Sequence, residues 1–145
     1  MDCFASLAMT AIDDRMISDR LFVYGTLMRG FDHPMAQLLS RSADFVGEAR
    51  CHGRLYLVKH YPGLVKSDDA SDVVFGELFR LRRPEELLRE FDMYEACGEG
   101  FPEPTQYVRQ TLPVTLADGT VCEAWTYIYN WPVEALARIE SGRFL

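Results

Sequence analysis

Apolar residues fall in short runs along most of this chain and take up a helical interval at only a few places. Leu21-Phe22-Val23-Tyr24 is one such run, stopped by Gly25, and predicts a short strand. Asp32 or His33 with Pro34 then opens a helix to about Ser42, because Met35, Leu38 and Leu39 recur at helical spacing. Phe45 to Leu57, interrupted by Gly47 and Gly53, predicts two strands. Pro62-Gly63 punctuates a further short one, and Val73 to Leu81 is another. Pro84 followed by Glu85-Glu86 predicts a helix start, since proline suits the first helical position and carboxylates favour the positive end of the dipole. That helix should run to about Tyr94 or Glu95, before a loop rich in glycine and proline from Cys97 to Pro104. Tyr107 to Ala117 and Thr120 to Tyr129 flank Asp118-Gly119, a hairpin signal. Pro132 to Ile139 predicts a last short helix. Residues 1–19 show no clean period and are expected to be an N-terminal extension to one domain over 20–145. Many strands with few helices predict an α+β fold, a mixed sheet or barrel with helices packed outside.

Composition narrows the partners. The chain has 145 residues, enough for a core without disulfide staples. Its net charge is −7, with Lys59 and Lys66 the only lysines and no basic tract, so neither nucleic acid nor an anionic membrane surface is an expected partner. Cys3, Cys51, Cys97 and Cys122 form no close pair and are expected to be free thiols. The apolar stretch Phe4 to Ala11 lacks a positive flank and runs into Asp13-Asp14, unlike a signal peptide. No apolar run approaches the roughly 18 residues of a membrane span. A cytoplasmic protein is expected.

Two places carry candidate chemistry. Gly25-Thr26-Leu27-Met28-Arg29-Gly30 has the glycine spacing of a phosphate loop, but Phe31 and Asp32 stand where Lys and Ser/Thr are required. What remains is a strand ending in glycine, which can be a tight turn or a nest of N–H groups for a carboxylate or oxyanion. The second place is the helix from Pro84. At 3.6 residues per turn, Leu87, Leu88, Phe91 and Tyr94 span an arc about 120° wide. Glu95 falls inside that arc, about 20° from Leu88 and about 40° from Phe91, whereas Asp92 lies about 40° outside it, where it can stay wet or assist at a rim. An inward carboxylate at a helix C-terminus is expected to have a raised pKa, as a general acid/base requires. The alternatives are that Glu95 swings out to solvent or pairs with an arginine such as Arg109.

Other chemistry has less support. His33, His52 and His60 lack metal spacing, and each reads as a surface or capping residue. Cys97 has no histidine tied to it in sequence as a nucleophile requires. Trp125 to Tyr129 reads as core and pocket wall, with a tyrosine hydroxyl able to reach a ligand.

Seven segments in order now carry a resemblance: Tyr24-Gly25-Thr26-Leu27, Gly53-Arg54-Leu55-Tyr56, Tyr61-Pro62-Gly63-Leu64-Val65, Gly76-Glu77-Leu78-Phe79, Asp92-Met93-Tyr94-Glu95, Tyr107-Val108-Arg109 and Ala124-Trp125-Thr126-Tyr127. Over Leu21 to Leu145 the chain resembles the gamma-glutamylcyclotransferase-like family. The resemblance implies a small mixed β-barrel with flanking helices and a cavity at the Tyr24–Leu27 loop. It also implies Glu95 as the catalytic residue, with Tyr24, Gly25, Thr26, Leu27, Tyr107 and Tyr127 around a small γ-glutamyl substrate. The stretch Ala96 to Gln106 is longer than in many relatives and should reshape the pocket rim. Closure of a γ-glutamyl group to 5-oxoproline needs neither metal nor covalent intermediate, so no cofactor is expected. The rival expectation is a non-catalytic binding module for an amino acid or amine, or an interaction domain, on the same fold. Oligomeric state is left open.

Overall fold

The computed structural model describes residues 18–98 and 100–144. Its organising strand is β2, Ala43–Leu57, which pairs along its length with partners on both sides. The sequence predicts two strands here; the structure has one, with a register irregularity between Phe45 and Gly47. Gly53 does not break it. A Cβ at that position would lie 2.9 Å from the Val65 carbonyl, so this glycine permits close approach of the neighbouring strand.

The other elements are β1 (Arg20–Val23), α1 (Pro34–Ser42), β3 (Pro62–Lys66), β4 (Val73–Leu81), α2 (Pro84–Tyr94), β5 (Tyr107–Leu116), β6 (Val121–Tyr129) and β7 (Ala137–Arg138). Pairing runs β1-β4-β2-β3-β6 and closes through β6 with β1, which makes a five-stranded barrel circuit. β1 with β6 and β3 with β6 are parallel, and the remaining pairs of the circuit are antiparallel. The fold is therefore a small mixed barrel with flanking helices, as the α+β pattern predicts. β5 forms the expected hairpin with β6 and also touches β2.

The barrel is buried on two sides. Strand side chains alternate between faces: Phe22 joins a cluster with Leu55, Leu64, Val74, Leu78, Val114 and Ile128, while Leu21 and Val23 join Leu39, Phe79, Leu87, Leu88 and Phe91. The second cluster contains side chains of both helices and forms the outer layer. α1 begins as predicted at Pro34, capped by His33, whose Nδ1 accepts from the Met35 amide at 3.1 Å.

The expected last helix from Pro132 to Ile139 is absent. A turn closed by Leu136 N–H to Val133 O leads into β7, which pairs with Tyr56 and Leu57 of β2. An eight-residue helix with little support is marginal, whereas the end of β2 supplies ready backbone partners. The expected N-terminal extension lies mostly outside the described residues. Ser18 and Asp19 bond to Glu123, Trp125 and Leu81. Among the described residues no helix is long and apolar enough to cross a membrane.

Candidate active site

β1 delivers the chain to a turn pressed against β3. A Cβ on Gly25 would stand 2.7 Å from Cγ of Pro62, so only glycine lets the turn lie this close. One bond closes the turn, Met28 N–H to Gly25 O at 3.0 Å. The amides of Gly25, Thr26 and Leu27 have no acceptor among the described residues. All three residues line a cavity of about 260 Å³.

Glu95 lines the same cavity from the end of α2. The helix stops at Tyr94, yet the Glu95 N–H still reaches Phe91 O at 2.8 Å and so preserves the helical direction. Ala96 then turns left-handed at φ 54, and Ala96 and Cys97 donate to Met93 O and Asp92 O. That bonding pattern ends a helix sharply, usually with glycine where alanine stands here. Glu95 is partly buried and faces no cation among the described residues. Burial, and after it the Asp92 carboxylate, push its pKa from 4.5 up to about 7.

Arg109, a possible partner of Glu95, is committed elsewhere. Its Nε and one terminal nitrogen donate to the two oxygens of Asp92 at 2.8 and 3.0 Å. The Tyr127 hydroxyl donates to the same carboxylate at 2.7 Å. Arg109 and Tyr127 are directly opposed on β5 and β6, and the guanidinium lies 4.3 Å from the Trp125 ring centroid. The expectation of a wet or rim-assisting Asp92 is thus corrected. It sits outside the apolar arc of its helix, but the β5–β6 hairpin covers that side with a cation and a phenol.

The loop residues, Tyr107 and Tyr127 are brought together with Glu95 around one cavity. The tyrosine hydroxyls are largely structural, however. Tyr24 donates to Tyr127 O at 2.6 Å and accepts from the Leu64 amide, tying β6 to β3. Tyr107 donates to Pro62 O at 2.7 Å. Burial, the largest cause in each, raises the pKa of Tyr24, Tyr107 and Tyr127, so all three stay protonated. Cys97 is buried, with its thiol directed at Asp92 and its pKa pushed up to about 12 by burial first and Asp92 second. That thiol is no nucleophile near neutral pH. His60, Tyr61, Tyr94 and Gln106 also line the cavity. Tyr94 belongs to the apolar arc of α2, whereas no periodicity marks His60, Tyr61 or Gln106, whose signal is adjacency in sequence to Pro62 and Tyr107.

Known proteins share this architecture. A family model described as "Gamma-glutamyl cyclotransferase, AIG2-like" matches residues 21–145. The chain is 35% identical over 130 residues to the Gamma-glutamylcyclotransferase family protein YtfP of Escherichia coli (strain K12), covering 87% of this chain and 96% of that protein. It is 30% identical to a Methanocaldococcus jannaschii protein named "Putative gamma-glutamylcyclotransferase", over 86% of this chain and 93% of that one. The crystal structure of an AIG2-like protein from Mus musculus superposes with a TM-score of 0.67 at 26% identity, over 84% of this chain and 86% of that one. With the family model matching residues 21–145 and relatives 30–35% identical over most of both chains, the chain belongs to the gamma-glutamyl cyclotransferase, AIG2-like family.

Proposed function

We propose that this chain is an enzyme that cyclises the γ-glutamyl group of a small conjugate to 5-oxoproline and releases an amine or amino acid, with Glu95 as general acid/base. One observation carries the reading: a partly buried carboxylate with a pKa near neutrality shares a cavity with a turn, and among the described residues neither the carboxylate has a cation nor the turn's amides an acceptor. The descriptions of the family and of its relatives support the same reaction class.

The chemistry follows from that pairing. The substrate's α-ammonium gives a proton to the Glu95 carboxylate, and the freed amine attacks its own γ-carbonyl carbon. Nucleophile and electrophile share one molecule, so the cavity's task is to hold the folded conformer. As the tetrahedral intermediate collapses, the bond from the γ-carbon to the leaving nitrogen breaks; Glu95 returns its proton to that nitrogen and then carries over the second proton of the ring nitrogen, leaving a neutral lactam and an ammonium. The amides of Gly25, Thr26 and Leu27 stabilise either the α-carboxylate or the developing oxyanion. The aromatic walls of Tyr24, Tyr107 and Tyr127 exclude water and keep the base poorly solvated.

The decisive experiment replaces Glu95 with Gln, which keeps the shape but cannot carry the proton. Formation of 5-oxoproline from a panel of γ-glutamyl dipeptides and amines should fall by about 10² or more. Full turnover by the variant would remove Glu95 from the role. Tight binding without turnover by the unaltered chain would identify a binding module.

A further inference from the structure

A second cavity, of about 260 Å³, lies on the outer face of β2 and β4. Val74 and Leu78 point into the barrel, so Phe75 and Glu77 share the outer face with Phe79 and Leu81. At Phe79 and Leu81 that face packs against the helices. At Phe75 and Glu77 the cover is instead Met28, Arg143 and Phe144, and a cleft remains between them. The second cavity and the one that holds Glu95 share no lining residue.

The strand register gathers like charges at each end of this cleft. Glu48 on β2 stands directly opposite Glu77 on β4, a pairing that is unfavourable by itself. Arg29 answers Glu77, with its amide donating to Oε1 at 2.8 Å and its Nε 3.5 Å from Oε2. Glu48 has no cation among the described residues. Two residues along, Arg50 stands opposite Phe75, and the Arg143 guanidinium lies 3.9 Å from the centroid of the same ring. Gly142 brings Arg143 there: its carbonyl accepts from the Phe75 amide at 2.8 Å, and a Cβ would collide with the Val73 carbonyl. Neither Arg50 nor Arg143 has a carboxylate partner among the described residues. An acidic end and a basic end thus lie roughly 6.6 Å apart along the strands.

We propose that this cleft binds a free zwitterionic α-amino acid with an apolar side chain. Its ammonium sits between Glu48 and Glu77, its carboxylate meets Arg50 and Arg143, and its side chain rests on Met28 and Phe144. An ammonium and a carboxylate joined through one carbon bridge the two ends of the cleft. The ammonium also relieves the opposed carboxylates, which a simple carboxylic acid would not. A simple amine leaves both guanidiniums unanswered. Phe144 is itself fixed, stacked on Phe31 with ring centroids 5.9 Å apart. Because Glu48, Arg50 and Arg143 are exposed, affinity is modest and weakens with added salt.

The test follows backbone amide resonances of the isotope-labelled chain during titration with leucine, isoamylamine or isocaproate. The last two are leucine without its carboxylate and without its amine. Leucine should give saturable shifts at Ala49, Gly76 and Ala117, all of which line the second cavity. Isoamylamine and isocaproate should bind about tenfold more weakly or worse, since each loses a whole charged end. Glu48→Gln and Arg50→Gln, both at exposed positions, should each weaken leucine by about threefold or more. No saturable response overturns the proposal, as does one confined to Thr26, Glu95 and Tyr107 of the first cavity. Equal affinity for the three compounds, or variants that bind leucine as the unaltered chain does, overturns it equally.

Discussion

Glu95 makes the fold less stable whenever it is ionised. Its folded pKa, about 7, lies above its ordinary value of 4.5. Between those values the folded chain holds a proton that the unfolded chain has released. Stability therefore falls as pH rises through that window and levels off above it. Full expression of the shift corresponds to at most roughly 3 kcal/mol, less for the part of the side chain that water reaches. Glu95→Gln never ionises, so its urea midpoint should exceed that of the unaltered chain at about pH 8 and approach it at about pH 5. A constant difference across that range would mean that the side chain is well solvated. Glu95 was legible in sequence because a carboxylate stood within an apolar arc whose period the helix kept. The hydrogen bonds of Tyr61 and Tyr94 were not. A phenol's hydrogen-bond direction depends on partners 45 and 61 residues away, and no local pattern encodes them.

At the scale of elements, the end of α2 is locked to the β5–β6 hairpin by Asp92 with Arg109 and Tyr127. Both members of the ion pair have side chains 23% exposed. Asp92→Asn leaves the guanidinium half-buried without its counter-charge, and chemical denaturation should show a loss of about 1–3 kcal/mol. The same change removes the second cause of Glu95's raised pKa. The rising limb of the kcat/KM profile, expected near pH 7 because the base form is required, should move to lower pH. A limb that stays in place would separate Asp92 from the base. The helices and the hairpin were readable from proline, glycine and spacing. The continuity of β2 and the replacement of a last helix by β7 were not, because both depend on which strand lies alongside. Gly53 reads as a breaker until Val65 is seen to need the space, and the segment after Pro132 reads as helical until Ala137 and Arg138 are seen to pair with Leu57 and Tyr56 of β2.

At the scale of the molecule, β1 belongs to both apolar clusters, pairs with β4 on one side and β6 on the other, and leads without a linker into the turn at Gly25. That turn has no freedom to loosen alone, since its glycine rests on Pro62 and the Tyr24 hydroxyl joins β6 to β3 beneath it. Sites on mobile loops commonly fail on heating before the rest of a protein does. Here the turn amides proposed to hold the anion hang from a strand whose Leu21, Phe22 and Val23 are all buried, so loss of the proposed activity and collapse of the barrel should be a single thermal event. Residual 5-oxoproline release and near-ultraviolet circular dichroism, followed through one temperature ramp, should trace the same curve. Activity lost several degrees earlier would show that the site fails before the barrel does.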